Sequence, residues 1–183
     1  IPLTSIMLLG NQQDNMKFAV DLLDSIPDKR NFILAPGCDM PYNVPVENCI
    51  GVAQAAIETD VVREMVKNYQ AEEIDTSNVV IPDYASLTKP LVEVFTLDSA
   101  QCAACGYMMG AANQAKETFG DKIDMVEYKF IYKENVARCV KMGVPNLPSM
   151  YINGELKYRS IIPTKAELEA AINEAIAVCD SRK

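Results

Sequence analysis

Apolar positions in this 183-residue chain repeat at helical spacing in some segments and run continuously or alternate in others. "SIMLL" (5–9) is a short continuous run and reads as a buried strand. In "QQDNMKFAVDLLDSI" (12–26), Met16, Val20 and Leu23 recur at helical spacing, and Pro27 ends the helix. "NFILA" (31–35) reads as a second buried strand. "PGCDMPYNVP" (36–45) is a loop, and Pro45 suits the first turn of a helix over about 46–69. This order, βαβα, implies parallel strands with right-handed crossovers. The polar, proline-bearing stretch 71–90 reads as a linker. The pattern then restarts with a strand at 91–97, a helix at 103–119, a strand at 123–131 and a short helix at 133–143 ended by Gly143. Strands at 149–153 and 156–162 flank an Asn-Gly turn, and a helix at 164–179 opens with a Thr-x-x-Glu capping box. The order from 91 onward is therefore βαβαββα.

Charge sharpens the division. The net charge is −8 and the pI about 4.6, which argues against nucleic acid and anionic membranes as partners. Residues 1–87 hold 5 Lys and Arg against 13 Asp and Glu, and residues 88–183 hold 12 of each. Such asymmetry fits two units. No run of about 18 apolar residues suggests a membrane span, and the start shows no basic leader. With no export signal in view, a reducing cytoplasm with mostly free thiols is the expected setting. The first residue is Ile rather than Met, which favours a piece of a longer fusion.

There are no histidines, so Ser-His-Asp and Cys-His catalysis and Cys2His2 zinc sites cannot come from this chain. Of six cysteines, only Cys102 and Cys105 are close in sequence, in "SAQCAACGYMMG" (99–110). Such a pair is a redox couple, half a zinc site or two packed thiols. A zinc site needs a second CxxC or a His pair, and neither is present. A cysteine at a helix N-terminus meets free N–H groups and the positive end of the helix dipole, which favour thiolate, the nucleophilic form. Cys102 occupies that place, and Cys105 lies one turn in. Cys139 fits the apolar face of its helix, and Cys179 follows the last one.

The order βαβαββα with "CAAC" at its first strand–helix junction, "NLPSMYINGE" (146–155) and a closing helix after "IIPTKAEL" resembles the thioredoxin fold, and the glutaredoxin-like redox-active disulfide proteins within it. The resemblance implies that Cys102 is the nucleophile, that Cys105 is the resolving thiol and that Pro148 is a cis-proline shaping the edge where substrate docks. It implies a protein or small-molecule disulfide or thiol as partner and requires no cofactor. Thr96 stands where thioredoxin carries a buried acid, and Ala-Ala lies between the cysteines.

"NFILAPGCDMPYNVPVENCIGVAQAA" (31–56) resembles a different family, the uroporphyrinogen decarboxylase superfamily, and within it the corrinoid-dependent methyltransferases with their TIM-barrel fold. Residues 5–60 would match the end of such a barrel. The resemblance implies that Cys38 is a zinc ligand, with the remaining ligands supplied from elsewhere, and points to a corrinoid methyltransferase system as partner. Two strands cannot close a barrel, so the segment is a fragment of a longer fusion, a truncation packed on the second unit, or an edge that pairs with a second copy in a homo-oligomer.

The expectation is an α/β chain with a barrel-like βαβα segment (1–70), a linker (71–90) and a thioredoxin-like domain with a mixed sheet flanked by helices (91–183). The function expected is thiol–disulfide oxidoreduction. The alternatives are an accessory or remnant of a corrinoid-linked methyltransferase, tied to zinc or thiolate without redox turnover, and a docking module with inert cysteines.

Overall fold

Strand β1 (Leu91–Thr96) shows how the second half of the chain is built. Its side chains alternate across the sheet: Val92 and Val94 enter one core, while Phe95 enters another. β1 pairs in parallel with β2 (Asp124–Lys129) and antiparallel with β3 (Ser149–Ile152), which pairs antiparallel with β4 (Glu155–Arg159). The sheet order is β2-β1-β3-β4. A crossover through α4 (Ala103–Phe119) makes β1 and β2 parallel. Asn153 and Gly154, both at positive φ, close the β3–β4 hairpin.

The computed structural model describes residues 1–37 and 40–182, without the side chains of Leu3 and Thr4. It divides into Ile1–Glu73 and Ile74–Lys183. In the second unit, α4 and α6 (Lys165–Asp180) contribute Met108, Ala112, Ala115, Leu168 and Ile172 to a core with Val92, Val94, Met150 and Ile152. Thr164 and Glu167 form the expected capping box of α6. On the other side of the sheet, Cys139 from α5 (Lys133–Met142) packs with Phe95 and Tyr151. Ring centroids there lie 5.0 Å apart in a tilted pair (Phe95–Tyr128) and 5.3 Å apart edge to face (Phe95–Tyr151). The element order expected for 91–183 is formed, and this unit has a mixed sheet flanked by helices.

Residues 74–90, inside the stretch expected as a linker, lie along this unit. Lys141 Nζ donates to the carbonyls of Thr76 and Val79, and Arg138 donates to that of Val80 at 2.8 Å. The Tyr84 hydroxyl donates to buried Glu93 at 2.7 Å.

The first unit departs from expectation. The predicted strands at 5–9 and 31–35 do not form; Leu3–Leu8 is a π-helical stretch, and residues 32–36 have no regular structure. An isolated strand leaves its backbone groups unpaired. Here they are met locally: the Met7 N–H reaches the Pro2 carbonyl at 3.1 Å, and the Gly10 N–H reaches Ile6. Two buried asparagines take other carbonyls. Asn48 donates to Met7 and Gly10 (2.7 and 2.8 Å), and Asn15 donates to Ile6 (2.8 Å). The unit is thus helical among the described residues, and the βαβα pattern of a barrel end is not formed. Its core joins α1 (Gln12–Ser25), α2 (Val46–Ile57) and α3 (Thr59–Val66) through Met16, Ala19, Val20, Ala55, Val62 and Val66. At Gly51 an added Cβ would sit 3.0–3.3 Å from Gln12 and Met16, so α1 and α2 approach closely there. The single helix predicted over 46–69 breaks at Glu58, where the Thr59 hydroxyl donates to the Ala55 carbonyl at 2.8 Å; such back-bonding bends helices.

Candidate functional site

β1 ends at Thr96 and the chain turns through 97–101 into α4. Asp98 organises this turn. Its carboxylate accepts hydrogen bonds from the Ala100 N–H and the Gln101 amide, each at 3.1 Å, and pairs with Lys129 at 2.8 Å. Burial alone would raise the Asp98 pKa, but Lys129 and the Ala100 N–H outweigh it and hold the carboxyl below its ordinary range. The Asp98 carbonyl accepts the Cys102 N–H at 2.8 Å.

Cys102 is the N-cap residue of α4, in extended conformation and half-buried. No side chain caps the helix there, so the thiol stands at a helix N-terminus whose first-turn N–H groups have no side-chain partner. Cys105, one turn on, is 1% exposed and accepts the Leu97 N–H on its sulfur at 3.3 Å. Burial, then hydrogen bonding with the Cys102 sulfur, pushes its thiol up to about 12. The two thiols are neighbours in different environments, and both are free.

The Leu147–Pro148 peptide bond is cis, and buried Pro148 leads directly into β3. Phe95 pairs with Ser149. One step further in this antiparallel register brings Pro148 to the end of β1 from which the cysteine turn departs. Cys102, Cys105 and Pro148 therefore lie toward the same end of the sheet. Cys38 lies outside the described residues. Among those described, no three Cys, Asp or Glu side chains gather to hold a metal ion. Cys139 is a core thiol, which burial also pushes up to about 12. Cys179 lies within α6 rather than beyond it and is 1% exposed.

Three residues around the dithiol are not among those its sequence motif marks: Asp98, Lys129 and Glu127. Asp98 carried a legible signal, since an Asp followed by Ser-Ala accepts the N–H two residues on as an Asx-type turn. Glu127 and Lys129 reach the site only through the parallel register of β2 with β1, which no local pattern encodes.

No protein-family model matches the chain. A probable thioredoxin of Methanothermobacter thermautotrophicus is 32% identical over 83 residues, covering 45% of this chain and 92% of that protein. A probable thioredoxin of Methanothermobacter marburgensis is 32% identical over 85 residues, 46% of this chain and 94% of its own. Among solved structures, oxidized mitochondrial thioredoxin 3 of Saccharomyces cerevisiae aligns with 49% of this chain and 82% of its own, at 17% identity and a TM-score of 0.38. No helix among the described residues is long and apolar enough to cross a membrane. With nearly the whole length of two curated thioredoxins matched at this identity, the chain belongs to the thioredoxin family.

Proposed function

We propose that this protein is a dithiol–disulfide oxidoreductase in which Cys102 attacks and Cys105 resolves. The observation that carries the reading is the asymmetry of the pair: a half-buried thiol at the open N-terminus of a 17-residue helix, and a fully buried one a turn behind it. The Cys102 thiolate attacks one sulfur of a substrate disulfide. A Cys102–substrate disulfide forms and the other substrate sulfur leaves as thiolate, taking up a proton. Cys105 then gives up its proton and attacks the Cys102 sulfur. The Cys102–Cys105 disulfide forms and the second substrate thiol leaves, so the substrate gains two electrons and the protein loses them. Cys105 is a poor nucleophile while its thiol stands near 12. Two of the causes are the hydrogen bond and the charge of Cys102. The charge is lost once Cys102 is bound to substrate, which eases loss of the Cys105 proton, while burial, the largest cause, stays.

Pro148 shapes the backbone against which an extended substrate segment pairs. Substrates are protein or small-molecule disulfides. The test is trapping. The Cys105→Ser variant, given a disulfide peptide, should accumulate a mixed disulfide at Cys102, and Cys102→Ser should not. Equal trapping by both variants, or by neither, would sink the assignment.

A second reading rests on "FILAPGCD" (32–39), which resembles the zinc-ligand loop of corrinoid-dependent methyltransferases. It places the chain beside a methyl-transfer system with Cys38 as one ligand of a shared metal. Stoichiometric zinc that is lost in Cys38→Ser would support it; protein that binds no zinc would count against it.

A further inference from the structure

On the reading of Cys102 and Cys105 as a redox dithiol, we propose that Glu127 is a positioning residue for the pair, clamping the turn that carries both of their backbone partners. Glu127 lies on β2 opposite Val94, hence on the face of the sheet that α4 covers. Its Oε1 accepts two hydrogen bonds, from the Thr96 hydroxyl at 2.6 Å and from the Ser99 N–H at 3.2 Å. Thr96 is fully buried. Between these two anchors lie Leu97, whose N–H donates to the Cys105 sulfur, and Asp98, whose carbonyl accepts the Cys102 N–H. One carboxylate oxygen thus straddles the two residues that touch the dithiol. Two residues along the same strand, Lys129 ties down the Asp98 side chain.

The consequence is a bias in the redox equilibrium. The Leu97 N–H bond is made to the sulfur of a free thiol, so it stabilises the reduced form. A stabilised reduced form makes a dithiol pair more oxidising. Loosening the clamp weakens that bond and moves the pair toward disulfide. The loss of one hydrogen bond corresponds to about a fivefold change in the equilibrium constant, or about 20 mV for a two-electron couple. The proposal assigns the effect to position and not to charge. Gln at 127 keeps an oxygen that accepts both bonds; Ala does not.

The test uses the full chain with Glu127→Ala, Glu127→Gln and Thr96→Val. Two quantities are read: the Cys102–Cys105 equilibrium against reduced and oxidised glutathione, and amide hydrogen exchange at Leu97 and Ser99 in the reduced protein. Glu127→Ala should shift the equilibrium about fivefold toward disulfide and speed exchange at both amides. Thr96→Val should shift both readouts in the same direction, and Glu127→Gln should stay within about twofold of the parent in equilibrium. An unshifted Glu127→Ala, or a Glu127→Gln that shifts as far as Ala, overturns the proposal. If Glu127→Ala fails to fold, Thr96→Val against Glu127→Gln decides it. If no variant, parent included, forms the Cys102–Cys105 disulfide, the oxidoreductase reading falls; the Leu97 exchange rates then decide the clamp by themselves.

Discussion

Replacing Tyr84 with Phe removes one oxygen from a buried polar cluster, and its effect should depend on pH. Glu93 sits in the middle of β1 with 0% exposure. Its Oε2 accepts the Tyr84 hydroxyl at 2.7 Å, and the nearest guanidinium nitrogen of Arg138 stands 3.9 Å from Oε1. Tyr128 faces the same carboxylate. Burial pushes the Glu93 carboxyl above its ordinary 4.5, while Tyr84, Arg138 and Tyr128 pull it back. Because the folded state holds this proton more tightly, the group's contribution to stability is full below the unfolded value. It is lost as pH rises through the folded one. Tyr84→Phe removes a bond that favours the ionised form, so it raises the folded value further and deepens the loss at high pH. With Glu93 protonated, the variant forfeits a neutral hydrogen bond worth about 1 kcal/mol. With Glu93 ionised, it forfeits a charge-assisted one worth about 2–3 kcal/mol. A pH series of urea unfolding followed by circular dichroism, begun below the ordinary Glu93 value of 4.5, should show the cost growing as pH rises through the folded one. In a Glu93→Gln background the cost should be flat. A cost that does not change across the series in the parent background would refute the reasoning.

Other outcomes follow from single contacts. Gly154→Ala places a Cβ 2.4 Å from the Tyr84 ring at a φ of +77°, and should lower stability by about 1–3 kcal/mol, measured by thermal or urea melts. Asp98→Asn loses the Lys129 pair; since the Asp98 carboxyl is held low, this stability exists above the unfolded value and is lost as pH falls. The variant should therefore cost about 1–3 kcal/mol at neutral pH, and the cost should decline as pH falls below the ordinary Asp value of 3.8, which a pH series of urea midpoints checks. Thr164→Ala breaks the α6 capping box and should cost about 1 kcal/mol by the same melts.

The second unit was largely legible from sequence because its signals are local. Alternation marks β1, Asn153-Gly154 marks the hairpin, and Thr164 and Glu167 mark the start of α6. The dithiol stood out for the same reason, as two cysteines at a strand–helix junction. The setting of the dithiol did not, because Glu127 and Lys129 come from a neighbouring strand. Position 96 of β1 carries a threonine rather than an acid, and the carboxylate bonded to it arrives from β2. In the first unit, "SIMLL" and "NFILA" show how little a short apolar run says. Four or five apolar residues suit a buried strand or a buried turn equally, and which one forms depends on whether a sheet exists to join. Here, buried Asn15 and Asn48 meet the carbonyls that a neighbouring strand would have met. The stretch 71–90 has the composition of a linker, being polar and holding two prolines. Its attachments through Tyr84 and the carbonyls of Thr76, Val79 and Val80 are long-range and left no local trace.

The most direct measurement is a redox titration of the intact protein. The protein is equilibrated in glutathione buffers of graded potential, its thiols are alkylated, and Cys102 and Cys105 are read by peptide mass. One two-electron transition is expected, in which both cysteines lose their label together as an intrachain Cys102–Cys105 disulfide forms, while buried Cys139 stays reduced throughout. Cys102 remaining a free thiol across the whole range, or pairing with a cysteine other than Cys105, would contradict it.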